Sequence, residues 1–221
     1  MYERVIPRLK QLYSDQEMLR FIIVLRDPVE RAWSHYLHQI RNGLEDKEFE
    51  EALKLEESRR KENPELWYGY FRDGLYSEQI RPWFEAYPRD RFLILFTHEL
   101  ASDTLGVMRQ VYRFLGIDET FEPELRKVKS NPASKPRSRM LARLLSSDAT
   151  IKSLLRRIVP EDLRRAAYLF LIRSNVKPYS APPQMPEEIG RQLRLRYLSE
   201  IEQLEQLLQK DLSCWKVQAK R

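Results

Sequence analysis

Two short apolar runs stand out against a polar background: Phe21-Ile-Ile-Val-Leu-Arg-Asp-Pro28 opens on one, and Arg91-Phe-Leu-Ile-Leu-Phe-Thr-His-Glu-Leu100 contains the other. Unbroken runs of this length predict buried strands near 21–26 and 91–97, the first of them a parallel strand. Elsewhere the apolar residues recur at helical spacing. Residues 2–12 predict a helix followed by a turn at Ser14-Asp15, and Leu75, Ile80, Trp83 and Phe84 predict a helix that feeds the second strand. From Met140 onward the chain reads as helices. Leu141, Leu144 and Leu145, then Ile151, Leu154, Leu155 and Ile158, mark short amphipathic stretches studded with arginine, and Glu161 to Ile172 marks another. The last helix starts at Pro186 and carries Ile189, Leu193, Tyr197, Ile201, Leu204, Leu208 and Leu212 on one face. Its apolar period drifts, so it docks on its own domain rather than on a coiled-coil partner. Glu45 to Glu62 is the most charged segment and predicts a solvated helix with a thin apolar face of Phe49, Leu53 and Leu55.

The end of the first strand carries the candidate chemistry. Asp27 and Pro28 open a helix with an N-cap residue and a proline at the first position, where the missing N–H costs nothing. Arg26 and Ser34 then lie near the carboxyl end of a strand, the edge where open α/β sheets bind ligands. An arginine and a hydroxyl beside a helix N-terminus suit a phosphate. The plainer alternative is that Arg26 pairs with Asp27 or a neighbouring carboxylate and Ser34 is only a small residue on a helix.

Arg26, Asp27, Pro28, Arg31, Ser34 and Tyr36 together resemble the 3′-phosphate-binding signature of the sulfotransferases that use 3′-phosphoadenosine 5′-phosphosulfate, PAPS. The resemblance implies that Arg26 and Ser34 hold the 3′-phosphate. It extends in order along the chain. The block from Gly74 through Leu100 resembles the family segment in which a tyrosine lies near the adenine, here Tyr76, and whose strand leads to a helix ending in Phe-Leu-Gly. That helix falls at about Thr104 to Leu115, closed by Gly116 as a left-handed cap. The loop Ser130-Asn-Pro-Ala-Ser-Lys-Pro-Arg-Ser-Arg139 resembles the polar, basic loop that closes over the 3′-phosphate, with Lys135 and Arg137 as the candidates; by composition alone it is equally a solvated loop. The ending Leu212-Ser-Cys-Trp215 resembles the tail of bacterial-type members. The resemblance implies an α/β, P-loop-like, three-layer fold with a parallel sheet and a helix-rich C-terminal half. It also implies transfer of a sulfuryl group from PAPS to a hydroxyl or amine of a small-molecule or carbohydrate acceptor.

One part of the family pattern does not appear. Relatives carry a Gly-rich loop with a lysine ahead of the arginine strand, to cradle the 5′-phosphosulfate, and a histidine or glutamate base after it. None of Gly43, Gly69, Gly74, Gly106, Gly116 and Gly190 lies in such a context, and no catalytic residue is assigned. The expectation is a single domain over 1–221, N-terminally incomplete, whose true start lies upstream.

Composition narrows this picture only a little. With 221 residues and 42% apolar content the chain can bury one substantial core. A single cysteine, Cys214, excludes an internal disulfide, and three histidines without metal-ligand spacing predict no metal site. No run is long enough to cross a bilayer and no signal peptide is legible, so a cytoplasmic protein without a membrane partner is expected. The excess of 39 Lys and Arg over 33 Asp and Glu suits a polyanionic cosubstrate and equally suits other polyanions. The arginines are dispersed rather than massed on one element, which argues against a nucleic-acid partner. Two other classes stay open: a non-catalytic, truncated module that binds a 3′-phosphoadenosine nucleotide, and a basic helical polyanion-binding protein.

Overall fold

The computed structural model describes residues 2–13, 15–64, 68–122, 134–146 and 160–217. Three anticipated features lie wholly or partly outside the described residues: the turn at Ser14-Asp15, through Ser14, the start of the basic loop at 130–133, and the stretch carrying Ile151, Leu154, Leu155 and Ile158. The described residues form two compact units. One comprises 2–13, 15–30, 73–122 and 191–217; the other comprises 31–64, 68–72, 134–146 and 160–190.

In the first unit, strand β1 (Phe21–Leu25) runs parallel to β2 (Phe92–Phe96), with Phe21 opposite Phe92 and Leu25 opposite Phe96. Aromatic rings pin one end of the pair. The Phe21 ring lies 4.8 Å from Tyr87 and from Phe92 and 5.5 Å from Trp83. Phe84 meets Phe92 edge-on at 4.9 Å, so both Trp83 and Phe84, on helix α4 (Tyr76–Ala86), are packing residues. Helix α1 (Tyr2–Leu12) packs against α4. β2 is buried at every position but the half-buried Leu93, whereas on β1 Ile22 and Val24 are 40% and 50% exposed. Side chains alternate along a strand, so Phe21, Ile23 and Leu25 share one face while Ile22 and Val24 share the other. An unbroken apolar run conceals that alternation.

Past β2, the short helix α5 (Thr97–Ser102) leads into α6 (Thr104–Leu115). Asp103 caps α6 by accepting the Gly106 N–H at 2.9 Å. Gly116 ends it in the left-handed region at φ 69°, as anticipated, where a residue with a Cβ would be strained.

The second unit takes in most of helix α2 (Pro28–Arg41), all of α3 (Phe49–Glu62), α7 (Arg139–Ser146) and α8 (Glu161–Ser174), and an antiparallel pair, β3 (Ser134–Pro136) with β4 (Val176–Pro178). Its core is aromatic: Trp33 lies 5.2 Å from Tyr36, and Tyr36 lies 4.9 Å from Phe49. The Tyr36 hydroxyl donates to the Lys47 carbonyl at 2.9 Å, and burial beside Glu48 and Glu45 pushes this phenol up to about 12. The charged segment from Glu45 to Glu62 is not simply solvated. Glu45 is buried and accepts from Arg59 Nη1 at 2.6 Å and from the Tyr70 hydroxyl at 2.8 Å. Glu56 is also buried and accepts the Phe71 and Arg72 N–H groups at 2.7 and 2.8 Å. The face of α3 that turns inward carries Phe49, Ala52 and Glu56, and the buried glutamate is tolerated there because two backbone N–H groups satisfy its carboxylate.

Helix α9 (Glu187–Leu208) buries Leu193, Tyr197, Ile201, Leu204 and Leu208, and Leu212 and Trp215 continue that face into the short helix α10 (Ser213–Lys216). Tyr197 is part of that packing. It is fully buried, and a Cβ on Gly74 would stand 2.5 Å from its hydroxyl, so this tyrosine fits only where position 74 is a glycine. Glu200 on the same face accepts from the Ser77 N–H at 2.6 Å and from Ser77 Oγ at 2.7 Å. Burial raises the Glu200 carboxyl above its ordinary value; the two Ser77 hydrogen bonds act in the opposite direction and only partly offset it. A carboxyl that is easier to protonate when folded contributes most at low pH, and that contribution declines as pH rises through the raised value. The unfolding free energy of the native protein should therefore gain on that of Glu200→Gln as pH falls from neutral toward the ordinary glutamate range near about 4.3. Urea denaturation of both proteins across that range checks the sign. A difference that stays flat, or that moves the other way, contradicts it.

Candidate functional site

The turn Arg26-Asp27-Pro28 joins β1 to α2. Asp27 caps the helix: its Oδ1 accepts the Val29 N–H at 2.8 Å and the Glu30 N–H at 3.2 Å, and Pro28 fills the first helical position. The donors at the start of α2 are thus used by the anticipated cap. What remains for an anion is the side chain of Arg26. Its Nε and Nη2 donate to Glu30 Oε2 at 3.2 and 3.1 Å, occupying the side edge of the guanidinium, while Nη1 has no hydrogen bond among the described residues. The pair matches the plainer alternative for Arg26, a neighbouring carboxylate. Its side chains are 39% and 38% exposed, however, and an exposed ion pair is worth at most about 1 kcal/mol. A charge-assisted bond donated to a doubly charged phosphate exceeds that.

The backbone of the turn is held from two sides within the first unit. Tyr76, at the start of α4, is buried and donates its hydroxyl to the Arg26 carbonyl at 3.0 Å. Its ring lies 6.4 Å from Trp215, whose own ring meets Phe96 edge-on at 5.4 Å. The resemblance assigned Tyr76 to the adenine; the structure gives it support of the Arg26 turn and leaves little of its ring exposed. On the other side, Arg194 of α9 donates through Nη1 to Asp27 Oδ2 and to the Trp215 carbonyl.

The other anticipated residues belong to the second unit. Ser34 is exposed on α2. Arg31, from the same motif, is committed to structure, donating through Nη2 to the carbonyls of Gly69, at 2.9 Å, and Tyr70. Lys135 lies on β3, its ammonium 5.6 Å from the Tyr179 ring centroid, and Arg137 follows the strand, its N–H bonded to the Asn175 carbonyl at 2.7 Å. Both side chains are exposed, and Asn175 fixes the segment by exchanging two further hydrogen bonds with the Ser138 backbone at 2.8 and 3.0 Å. The described part of the basic loop is therefore half strand. Sequence reasoning missed Glu30 and Arg194. Glu30 lies one turn from Arg26 in a spacing that favours ion pairs. No signal selects Arg194 from Arg191 and Arg196, its neighbours on the helix.

Residues 10–162 match the family described as the sulfotransferase domain, well over half of the chain, and the chain belongs to that family. Carbohydrate sulfotransferase 15 of Homo sapiens is 28% identical over 142 residues, 57% of this chain and 25% of that protein. Heparan sulfate glucosamine 3-O-sulfotransferase 3B1 of Mus musculus is 31% identical over 98 residues, 44% of this chain and 25% of that protein. The chain thus spans 25% of the length of these relatives. The crystal structure of a sulfotransferase from Alicyclobacillus acidocaldarius superposes with a TM-score of 0.61 at 24% identity, covering 96% of this chain and 62% of that one. That likeness concerns the fold, which is the α/β, P-loop-like fold of sulfotransferases.

If the Tyr76 hydroxyl holds the turn, Tyr76→Phe removes one hydrogen bond and leaves the Arg26 carbonyl short of a donor. The expected loss of stability is about 1–2 kcal/mol, with the circular dichroism unchanged. Denaturant titration measures it, and a loss below about 0.3 kcal/mol would show that water replaces the hydroxyl freely.

Proposed function

We propose that the chain serves the transfer of a sulfuryl group from PAPS to a hydroxyl or amine of a carbohydrate acceptor, and that the Arg26 turn anchors the 3′-phosphate of the cosubstrate. The observation that supports this most is the placement of Arg26. It stands at the carboxyl end of a parallel strand, its carbonyl held by Tyr76, with a half-exposed guanidinium whose Nη1 has no hydrogen bond among the described residues. A guanidinium presents donors in a fixed fork that matches phosphate geometry, so a rigid backbone beneath it converts charge into selectivity. Ser34, Lys135 and Arg137 enter the proposal through the family motif alone. The carbohydrate acceptor rests on the relatives, which are named for carbohydrate and for heparan sulfate glucosamine.

In the transfer, the sulfur–oxygen bond to the 5′-phosphate breaks as a new sulfur–oxygen or sulfur–nitrogen bond forms to the acceptor, whose proton passes to a base. 3′-Phosphoadenosine 5′-phosphate leaves with the electron pair of the broken bond. Such a reaction depends on in-line positioning and on charge stabilisation at the bridging oxygen. The share assigned to this chain's Arg26 is positioning: it fixes the nucleotide by the end remote from the reacting sulfur, so that binding energy is used to align the other.

Arg26→Ala should weaken binding of 3′-phosphoadenosine 5′-phosphate by about 2–3 kcal/mol and leave adenosine 5′-phosphate almost unaffected. Calorimetry with both nucleotides decides the matter. Equal losses for the two in a folded variant would remove Arg26 from the 3′-phosphate site.

A further inference from the structure

Asp27 has two carboxylate oxygens and the structure uses them differently. Oδ1 closes the start of α2 through the Val29 and Glu30 N–H groups, a local bond set that any cap residue can make. Oδ2 reaches across the first unit to Arg194, which arrives from a helix 167 positions further along the chain. Both side chains are largely buried, 14% exposed for Asp27 and 13% for Arg194. The same Nη1 of Arg194 also donates to the Trp215 carbonyl, while its Nε is buried with no hydrogen-bond partner among the described residues. The guanidinium is thus placed to reach Asp27 and Trp215 together rather than to satisfy all of its own donors. Trp215 in turn packs on Tyr76, and Tyr76 donates to the Arg26 carbonyl. The contacts form a closed circuit around the two residues at the strand end.

We propose that Arg194 is a positioning residue for the nucleotide site: by holding Asp27 Oδ2 and the Trp215 carbonyl it fixes the orientation of the Arg26-Asp27 turn, and with it the direction in which the Arg26 guanidinium is presented to a 3′-phosphate. The inference rests on the proposed role of Arg26. A long side chain amplifies any rotation at its own Cα, and the exposed pair with Glu30 is too weak to correct a turned backbone. The cap made by Oδ1 does not depend on Arg194, so losing the arginine leaves α2 its start and removes only the long-range tether.

The test is calorimetry with 3′-phosphoadenosine 5′-phosphate and adenosine 5′-phosphate on the full chain, Arg194→Gln and Arg194→Lys, with thermal melting as the control for folding. Arg194→Gln should weaken the 3′-phosphorylated nucleotide by roughly ten- to a hundredfold and adenosine 5′-phosphate by no more than about twofold, and Arg194→Lys should recover part of the loss. A merely structural arginine would lower the melting temperature and leave the ratio of the two affinities unchanged, which overturns the proposal. Asp27→Asn is the second variant: Oδ1 still caps α2, the partner of Arg194 is gone, and the same selective loss should appear, so it decides alone if Arg194→Gln does not fold. A native chain with no preference for the 3′-phosphorylated nucleotide overturns the Arg26 reading and this inference together. A native preference abolished by Arg26→Ala but kept in Arg194→Gln and Asp27→Asn overturns the positioning role only.

Discussion

The Asp27 carboxylate is the contact on which the geometry of the strand end depends. One oxygen starts a helix and the other neutralises a buried arginine from the far end of the sequence, so strand β1, helix α2 and helix α9 share a single fixed point. A buried ion pair gains little over an apolar pair, but losing one partner strands the other at a cost of about 3–5 kcal/mol. Such a contact specifies geometry more than it adds stability. Here the geometry specified is that of the strand end, where Arg26 emerges, and the apolar face of α9 from Leu193 to Leu208 brings Arg194 within reach.

What could be read from the sequence was what neighbouring residues decide among themselves. Asp27 and Pro28 announce the start of α2, Gly116 announces the end of α6, and the face from Leu193 to Leu212 announces a docked helix, because in each case the cause lies within a turn or two of its effect. Buried charge was not legible. Glu45, Glu56, Glu200 and Arg194 look like surface residues in a chain that is 33% charged, and their partners Tyr70, Phe71, Ser77 and Asp27 lie 25, 15, 123 and 167 positions away. Nor could the apolar run at β1 show that Ile22 and Val24 lie on an exposed face, since only the packing distinguishes one side of a strand from the other.

The candidate site shows the same division. Arg26 was found from its place after a strand and before a capped helix, and the structure leaves its side chain half-exposed with an Nη1 that has no hydrogen bond among the described residues. Tyr76 was found from its place in a family motif, and its hydroxyl serves the backbone of that same turn. An exposed, charged fork on a rigid turn is the arrangement expected of a phosphate anchor: the desolvation cost stays with the supporting residues, and the binding group itself remains accessible.

A crystal structure of the chain with 3′-phosphoadenosine 5′-phosphate tests the central claim most directly. It should show the 3′-phosphate within hydrogen-bond distance of the Arg26 guanidinium, with the contacts from Tyr76 to the Arg26 carbonyl and from Arg194 to Asp27 intact. A nucleotide bound elsewhere while Arg26 stays on Glu30, or bound at Arg26 with Asp27 released from Arg194, would contradict it.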